Sequence, residues 1–85
     1  MITKLIFVCT DNTCMGPMAE TIFRNENHDL DVEVSSRGLV VLFPEPVNPK
    51  AETILATHGL IIASHTARQF KADEVDAETL ILTMN

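Results

Sequence analysis

The sequence predicts an α/β fold built around a parallel sheet. The continuous apolar run of residues 5–9 has the length and composition of a strand that is buried on both faces, and residues 79–84 form a final apolar strand. Between them, segments with helical and strand-like patterns follow in the order helix, strand, helix, short helix. Such alternation is typical of parallel strands joined by right-handed crossovers, with a sheet layered between helices.

The chain has 85 residues, which is enough for one small domain spanning residues 1–85. Hydrophobic residues make up 46% and charged residues 21% of the sequence, so its composition is that of a globular domain and not of a disordered segment. A domain of this size has a thin core, and association with a partner would stabilise it.

Charge and hydropathy exclude several classes of function. Twelve acids and six bases give a formal charge of −6, which argues against a nucleic-acid surface and against binding to an anionic membrane. The longest apolar runs, Leu5 to Cys9 and Leu39 to Phe43, are far shorter than the roughly 20 residues that a membrane-spanning helix needs. The N-terminal run resembles a strand more than a signal peptide. Two cysteines are too few for a disulfide scaffold, so we expect a reducing, cytoplasmic location.

The first half of the chain predicts a helix and a second strand. Pro17 suits the first turn of a helix, and four apolar residues after it share one helical face: Met18, Ala19, Ile22 and Phe23. Polar and apolar residues alternate over 31–35, which predicts a half-exposed strand that is closed by Gly38.

The second half predicts a sharply bounded helix. Asn48 is a suitable N-cap and Pro49 a suitable first residue, while Gly59 is a natural stop. The predicted buried face comprises Ala51, Ile54, Leu55 and His58. Residues 72–77 predict a short acidic helix whose carboxylates are solvated.

The segment between the first strand and the first helix is the candidate site. In parallel α/β folds, ligands bind beyond the carboxyl ends of the strands. Residues 10–16 lie there, where free backbone N–H groups and the helix dipole favour an anion such as phosphate or sulfate. Cys9, at the end of the strand, faces the helix N-terminus and is placed as a thiolate nucleophile is. By itself, a cysteine in this place is more often a small buried hydrophobe.

The loop resembles that of the low-molecular-weight protein tyrosine phosphatases, which reads Val-Cys-x-Gly-Asn-x-Cys-Arg-Ser-Pro and is usually followed by Met-Ala-Glu. Eight residues match in register: Val8, Cys9, Asn12, Cys14, Pro17, Met18, Ala19 and Glu20. The resemblance continues at residues 36–38, 67–70 and 79–84, so it covers nearly the whole chain. It implies the N-terminal part of that flavodoxin-like, three-layer fold, without its last strand and helices.

The resemblance also implies roles for individual residues. Cys9 takes the position of the nucleophile that forms a phosphocysteine, and Cys14 that of its redox partner. Asn12 and Ser36 take the positions of polar groups that support the loop. The implied phosphate loop consists of Thr10, Asp11, Asn12, Thr13, Cys14, Met15 and Gly16.

Three departures from the family pattern concern the anion itself. Met15 stands where the family has Arg, Gly16 where it has Ser, and Asp11 where it has Gly. Methionine cannot offer a guanidinium fork to a phosphoryl group. The family's general-acid Asp, which belongs to a later Asp-Pro segment, also has no counterpart among these residues. We therefore expect an inactive or strongly impaired phosphatase-like domain that acts as a binding or redox-responsive module.

Other functions remain open from the sequence. One is a weakly active phosphatase, acting on phosphotyrosine or small aryl phosphates through Cys9 and backbone N–H groups. Another is a phosphocysteine carrier similar to enzyme IIB of the sugar phosphotransferase system, and a third is a thiol switch formed by Cys9 and Cys14. The three histidines and two cysteines match no zinc spacing, so we expect no metal and no cofactor.

The strand at residues 79–84 predicts an interaction surface. An apolar strand at the end of a parallel sheet leaves an unpaired edge, which is prone to association. We expect this strand to pair with a second copy of the chain, forming a homodimer, or with another protein partner.

Overall fold

The computed structural model describes residues 1–27, 29–62 and 64–84. The elements, in chain order, are β1 (Lys4–Cys9), α1 (Met15–Glu26), β2 (Glu33–Gly38), α2 (Pro49–Ala56), a 3₁₀ turn (Ala72–Glu74) and β3 (Thr79–Thr83). The predicted α/β class and element order are confirmed.

The three strands form one parallel sheet in the order β2-β1-β3. Lys4 at the start of β1 lies opposite Glu33 of β2 and Thr79 of β3. Because β1 is central, all its residues from Leu5 to Cys9 are buried. This position explains why the first strand is a continuous apolar run rather than an alternating one.

Helix α1 covers one face of the sheet. Leu5, Phe7 and Val34 form a buried cluster against which Ala19 and Phe23 of α1 pack. The Phe7 and Phe23 rings meet edge to face, with centroids 6.1 Å apart, a geometry that aromatic pairs favour. This packing fixes the angle at which α1 leaves the end of β1.

The opposite face is crossed by the segment that carries the 3₁₀ turn. Side chains alternate along a strand, so Arg37 points away from its neighbour Ser36, which faces α1. The Arg37 guanidinium donates a 2.8 Å hydrogen bond to the Glu74 carboxylate, and the Lys4 ammonium donates to the Glu74 backbone carbonyl. These contacts hold the 3₁₀ turn against β1 and β2.

Helix α2 begins as predicted. The Asn48 side chain accepts a 2.8 Å hydrogen bond from the Lys50 backbone N–H, and Pro49 is the first helical residue. Gly59 follows the helix with a φ of +76°, a conformation that glycine adopts without strain.

Three details of the sequence prediction are wrong. Strand β2 alternates and ends at Gly38 as predicted, but it begins at Glu33 and not at residue 31, because its pairing with β1 starts there. On α2, Ala51 and Leu55 are buried, but Ile54 is 49% exposed and His58 is also exposed. In the acidic segment only residues 72–74 are helical, and the half-buried carboxylate of Glu74 is paired with Arg37 instead of being a free surface charge.

Candidate functional site

The loop of residues 10–16 lies at the carboxyl end of the central strand, as expected. Two backbone hydrogen bonds extend the β1–β2 ladder into it: Leu39 N–H donates to the Cys9 carbonyl at 2.8 Å, and Val40 N–H to the Thr10 carbonyl at 2.9 Å. The loop therefore begins as a continuation of the sheet. It ends at Met15, where α1 starts.

Asn12 is the centre of the loop. It is fully buried and has a φ of +62°, in the left-handed region that asparagine tolerates better than most residues. Its Oδ1 accepts a 2.8 Å hydrogen bond from the Arg68 backbone N–H, and its carbonyl oxygen lies 2.7 Å from His65 Nε2. Its Nδ2 is buried without a hydrogen-bond partner among the described residues.

The space beside the Cys9 thiol is shaped by Gly16. A Cβ added at Gly16 would lie 3.0 Å from Cys9 Sγ and 3.2 Å from both Asn12 Nδ2 and Ser36 Cβ. Gly16 is buried in the first turn of α1. The absence of a side chain therefore leaves a narrow gap between the thiol and the unpartnered Asn12 amide.

Gly38 allows the end of β2 to approach the same loop. An added Cβ there would lie 3.0 Å from the Asp11 carbonyl carbon and 3.1 Å from Asn12 Cβ. A side chain would push the loop away from the sheet. This close approach gives a physical reason for a glycine after Ser36 and Arg37.

The Asp11 carboxylate uses one of the loop's own donors. Its Oδ1 accepts a 3.1 Å hydrogen bond from the Thr13 backbone N–H. The Thr13 carbonyl in turn accepts a 2.7 Å hydrogen bond from the Asn48 backbone N–H, which links the loop to the start of α2. Asp11 is exposed, whereas Thr13 is buried.

Met15 and Cys14 differ in their surroundings. The Met15 side chain is 45% exposed at the first position of α1. Cys14 is half-buried as the N-cap residue, and its thiol lies 4.0 Å from the Met18 sulfur. Cys9 is buried, and both cysteines are free thiols.

Ser36 contributes to the site through α1. Its hydroxyl donates a 2.8 Å hydrogen bond to Glu20 Oε1, and Glu20 Oε2 pairs with the Arg24 guanidinium at 2.8 Å. Ser36 thereby anchors α1 to β2 beside the loop and makes no direct hydrogen bond to residues 10–16 among the described residues.

The sequence prediction missed three supports of the loop. In the sequence His65 is one of three scattered histidines, but in the structure its ring reaches the Asn12 carbonyl. Arg68 acts through its backbone N–H, and Glu20 through Ser36. Arg68 and Glu20 both lie in segments that match the family pattern, so that match was the available signal.

Two negative findings bear on the site. Within residues 1–27, 29–62 and 64–84, no group of three or more His, Cys, Asp or Glu side chains is arranged to hold a metal ion. Over the same ranges, no helix has the length and apolar character needed to cross a bilayer.

A strand-end cysteine lies beside a loop that contains a buried, left-handed asparagine and leads into a helix on a parallel sheet. This arrangement is that of a cysteine-dependent phosphatase fold. The family model for low molecular weight phosphotyrosine protein phosphatases matches residues 4–85. The chain belongs to this family.

Relatives in the family include both tyrosine and arginine phosphatases. The chain is 35% identical over 85 residues to a probable low molecular weight protein-tyrosine-phosphatase, EpsP, of Ralstonia nicotianae, covering all of this chain and 57% of that protein. It is 35% identical over 81 residues to a protein-arginine-phosphatase of Geobacillus stearothermophilus, covering 95% of this chain and 56% of that protein.

Solved structures agree with this assignment. The crystal structure of the Erwinia amylovora tyrosine phosphatase AmsI superimposes with a TM-score of 0.88 at 26% identity, covering 100% of this chain and 55% of that one. The chain thus spans little more than half the length of the relatives that it matches. The expectation of an N-terminal part of the phosphatase fold is confirmed.

Proposed function

We propose that this domain keeps the phosphatase scaffold but has lost most of its catalytic power, and acts as a binding or redox-responsive module. The observation that carries the proposal is the charge of the loop. Between residues 10 and 16 the only charged side chain is the Asp11 carboxylate, and the family's Arg position holds an exposed methionine, Met15.

The missing arginine removes a large part of transition-state stabilisation. A preorganised donor aimed at developing negative charge contributes about 3–4 kcal/mol, a hundred- to thousandfold in rate. A thioether offers neither charge nor N–H donors. Phosphoryl transfer depends mainly on such positioning and electrostatics. The absence of Arg at position 15 therefore lowers the rate of the chemical step.

Asp11 acts in the same direction. Its carboxylate already accepts the Thr13 backbone N–H, one of the donors that a phosphoryl oxygen would otherwise use. A fixed negative charge at the mouth of the loop also repels a dianion. Both effects weaken anion binding, and neither disturbs the fold.

The test compares the native chain with three variants under reducing conditions. The substrate is p-nitrophenyl phosphate, and the ligand for binding measurements is inorganic phosphate. We expect no turnover above that of Cys9→Ser in the native chain. In the double variant Met15→Arg, Asp11→Gly, we expect phosphate to bind at least about tenfold more tightly, because one charge-assisted fork is restored and one repulsion removed.

Two results would contradict the proposal. Turnover by the native chain that disappears in Cys9→Ser would establish the weakly active cysteine-dependent phosphatase instead. Equal phosphate affinity of the native chain and the double variant would show that position 15 does not face the anion. The single variant Met15→Arg separates the contribution of the guanidinium from that of Asp11.

Redox response, location and association remain proposals as well. Cys9 and Cys14 are both free and border the same loop, so reversible oxidation of this pair is part of the proposed role, and a reducing cytoplasmic compartment would keep the thiols available.

We also propose that β3 associates with a strand of a second copy. In the described sheet β3 has β1 as its one neighbour, and Leu80 and Leu82 are 44% and 42% exposed.

A further inference from the structure

A polar cleft lies along the outer edge of β2 and borders the loop of residues 10–16 without including it. Its volume is about 560 Å³, and it is bounded by β2, by Glu20 and Arg24 of α1, and by residues 64–66 and 68. None of its lining residues belongs to the loop of residues 10–16. A smaller cavity of about 360 Å³ shares Arg37 and Arg68 with it and continues to Lys71.

The cations of the chain are concentrated on this cleft. The sequence contains only six Lys and Arg residues against twelve acids. Four of the six line the two cavities: Arg24, Arg37, Arg68 and Lys71. The two cavities therefore hold a larger share of the cations than an even distribution over a chain of net charge −6 would place there.

The acids on the cleft are largely engaged. Glu20 accepts from Ser36 and pairs with Arg24. Glu74 pairs with Arg37 and also accepts a 2.9 Å hydrogen bond from the Lys71 backbone N–H. These contacts orient the guanidinium groups. With Glu33, the two cavities hold three acids against four cations, so their lining keeps a net charge of +1.

Among the three arginines of the cleft, Arg68 is the one whose guanidinium is free to meet a ligand. Its side chain is exposed, and its guanidinium makes no hydrogen bond or ion pair with any described residue. Its backbone is fixed on both sides, because its N–H donates to Asn12 and its carbonyl accepts from Gly38. A flexible charged group on a fixed backbone is well suited to closing over an anion.

The outer edge of β2 is poorly suited to pairing with another strand. Gly38, at the end of this edge, already forms a bridge to Gln69. The carbonyls of Val34 and Ser36, which also point away from β1, already accept hydrogen bonds from side chains. Arg24 donates to the Val34 carbonyl, and Arg37 donates to the Ser36 carbonyl at 2.7 Å. Strand addition needs those carbonyls, so the arrangement favours a compact ligand over an extended peptide.

We propose that this cleft binds a small polyanion, a molecule with two or more phosphoryl or carboxylate groups. The volume lies in the range of pockets that hold small ligands. Two or more anionic groups are needed because the cations extend from Arg24 at one end to Lys71 at the other. The proposal does not rest on the function of the Cys9 loop.

The test is an NMR titration of the full chain with inorganic tripolyphosphate, compared with inorganic phosphate. We expect amide shifts at residues 34–37 and 66–69, and an affinity for tripolyphosphate at least about tenfold above that for phosphate. Arg68→Gln should weaken binding about tenfold. Lys50→Gln, which removes a cation on α2 outside both cavities, is the matched control and should leave the affinity unchanged.

A charge of opposite sign provides a second readout. Glu33 also lines the cleft and makes no ion pair with a described residue, so Glu33→Gln should strengthen tripolyphosphate binding. Shifts confined to residues 10–16, or equal affinities of Arg68→Gln and Lys50→Gln, would overturn the proposal. Tighter binding of a short polyglutamate peptide than of tripolyphosphate, with the same dependence on Arg68, would overturn the assignment to a small ligand.

Discussion

The side chain of Asn12 accepts a 2.8 Å hydrogen bond from the backbone N–H of Arg68, which lies 56 positions further along the chain. This contact joins the loop after β1 to the segment that borders the outer edge of β2. Because Asn12 also has a positive φ, one residue supplies both the turn of the loop and its attachment to the rest of the fold.

Two substitutions at Asn12 separate these contributions. Asn12→Gly keeps the positive φ accessible and removes the side chain, so we expect the free energy of unfolding to fall by about 1–3 kcal/mol, the cost of an unpaired buried donor. Asn12→Ala should cost roughly 1 kcal/mol more, because alanine is strained at this φ. Denaturant unfolding of both variants measures the difference, and equal stabilities would show that the backbone relaxes without strain.

Position 16 tests whether the unpartnered Asn12 amide matters. Gly16→Ala puts a Cβ into a gap where neighbours lie at 3.0–3.2 Å, so crowding opposes the gain in helix propensity. Gly16→Ser crowds equally but brings a hydroxyl acceptor near Asn12 Nδ2. We expect the serine variant to be the more stable, by about 1 kcal/mol.

Helix propensity alone predicts the reverse order at position 16, since alanine is the better helix former by a few tenths of a kcal/mol. Thermal unfolding of the two variants under identical reducing conditions therefore gives a clear sign. An alanine variant as stable as the serine variant would mean that the Asn12 amide does not need an acceptor.

The lowered pKa of Glu74 predicts that the protein loses stability in acid. Burial opposes its ionisation, but the Lys71 backbone N–H and the Arg37 guanidinium outweigh that effect and hold the pKa of Glu74 below its ordinary value of 4.5. A lowered native pKa means that the stabilisation is complete above the unfolded pKa and is lost as the pH falls through the native pKa.

The corresponding measurement is the thermal midpoint of the native chain and of Glu74→Gln between pH 7 and pH 3. At pH 7 the thermal midpoint of the native chain should be higher than that of Glu74→Gln. This difference should disappear below about pH 4.5. Glu52→Gln, an exposed acid on α2, is the control and should keep a constant difference. A Glu74→Gln variant that follows the native chain in parallel at every pH would exclude a stabilising role for the Glu74 carboxylate.

The exposed strand β3 predicts self-association. We expect light scattering after size-exclusion chromatography to give the mass of a dimer at micromolar concentration. Leu82→Lys should shift the mass to that of a monomer, because a charge on an edge strand opposes pairing. Ile61→Lys is the control: Ile61 is 88% exposed but lies outside the sheet, so its replacement should leave the dimer intact. A monomeric native chain would contradict the proposal.

The sequence by itself determined the sheet, the two helices and the family. The apolar run of β1, the N-cap and proline of α2, and the loop pattern from Val8 to Glu20 are local signals, and each depends on neighbouring residues in the chain. Local signals failed at the start of β2, which is set by pairing with β1, and at Ile54, whose exposure depends on what packs against α2.

Only the tertiary structure decided how the candidate site is supported. The contacts of Asn12 with His65 and Arg68, of Ser36 with Glu20 and of Arg37 with Glu74 join residues that lie 16 to 56 positions apart. No period or motif encodes such a pair, because it arises when β2 and the segments after α2 pack beside β1. The same packing brings Arg24, Arg37 and Arg68 to one cleft, which the overall charge of −6 conceals.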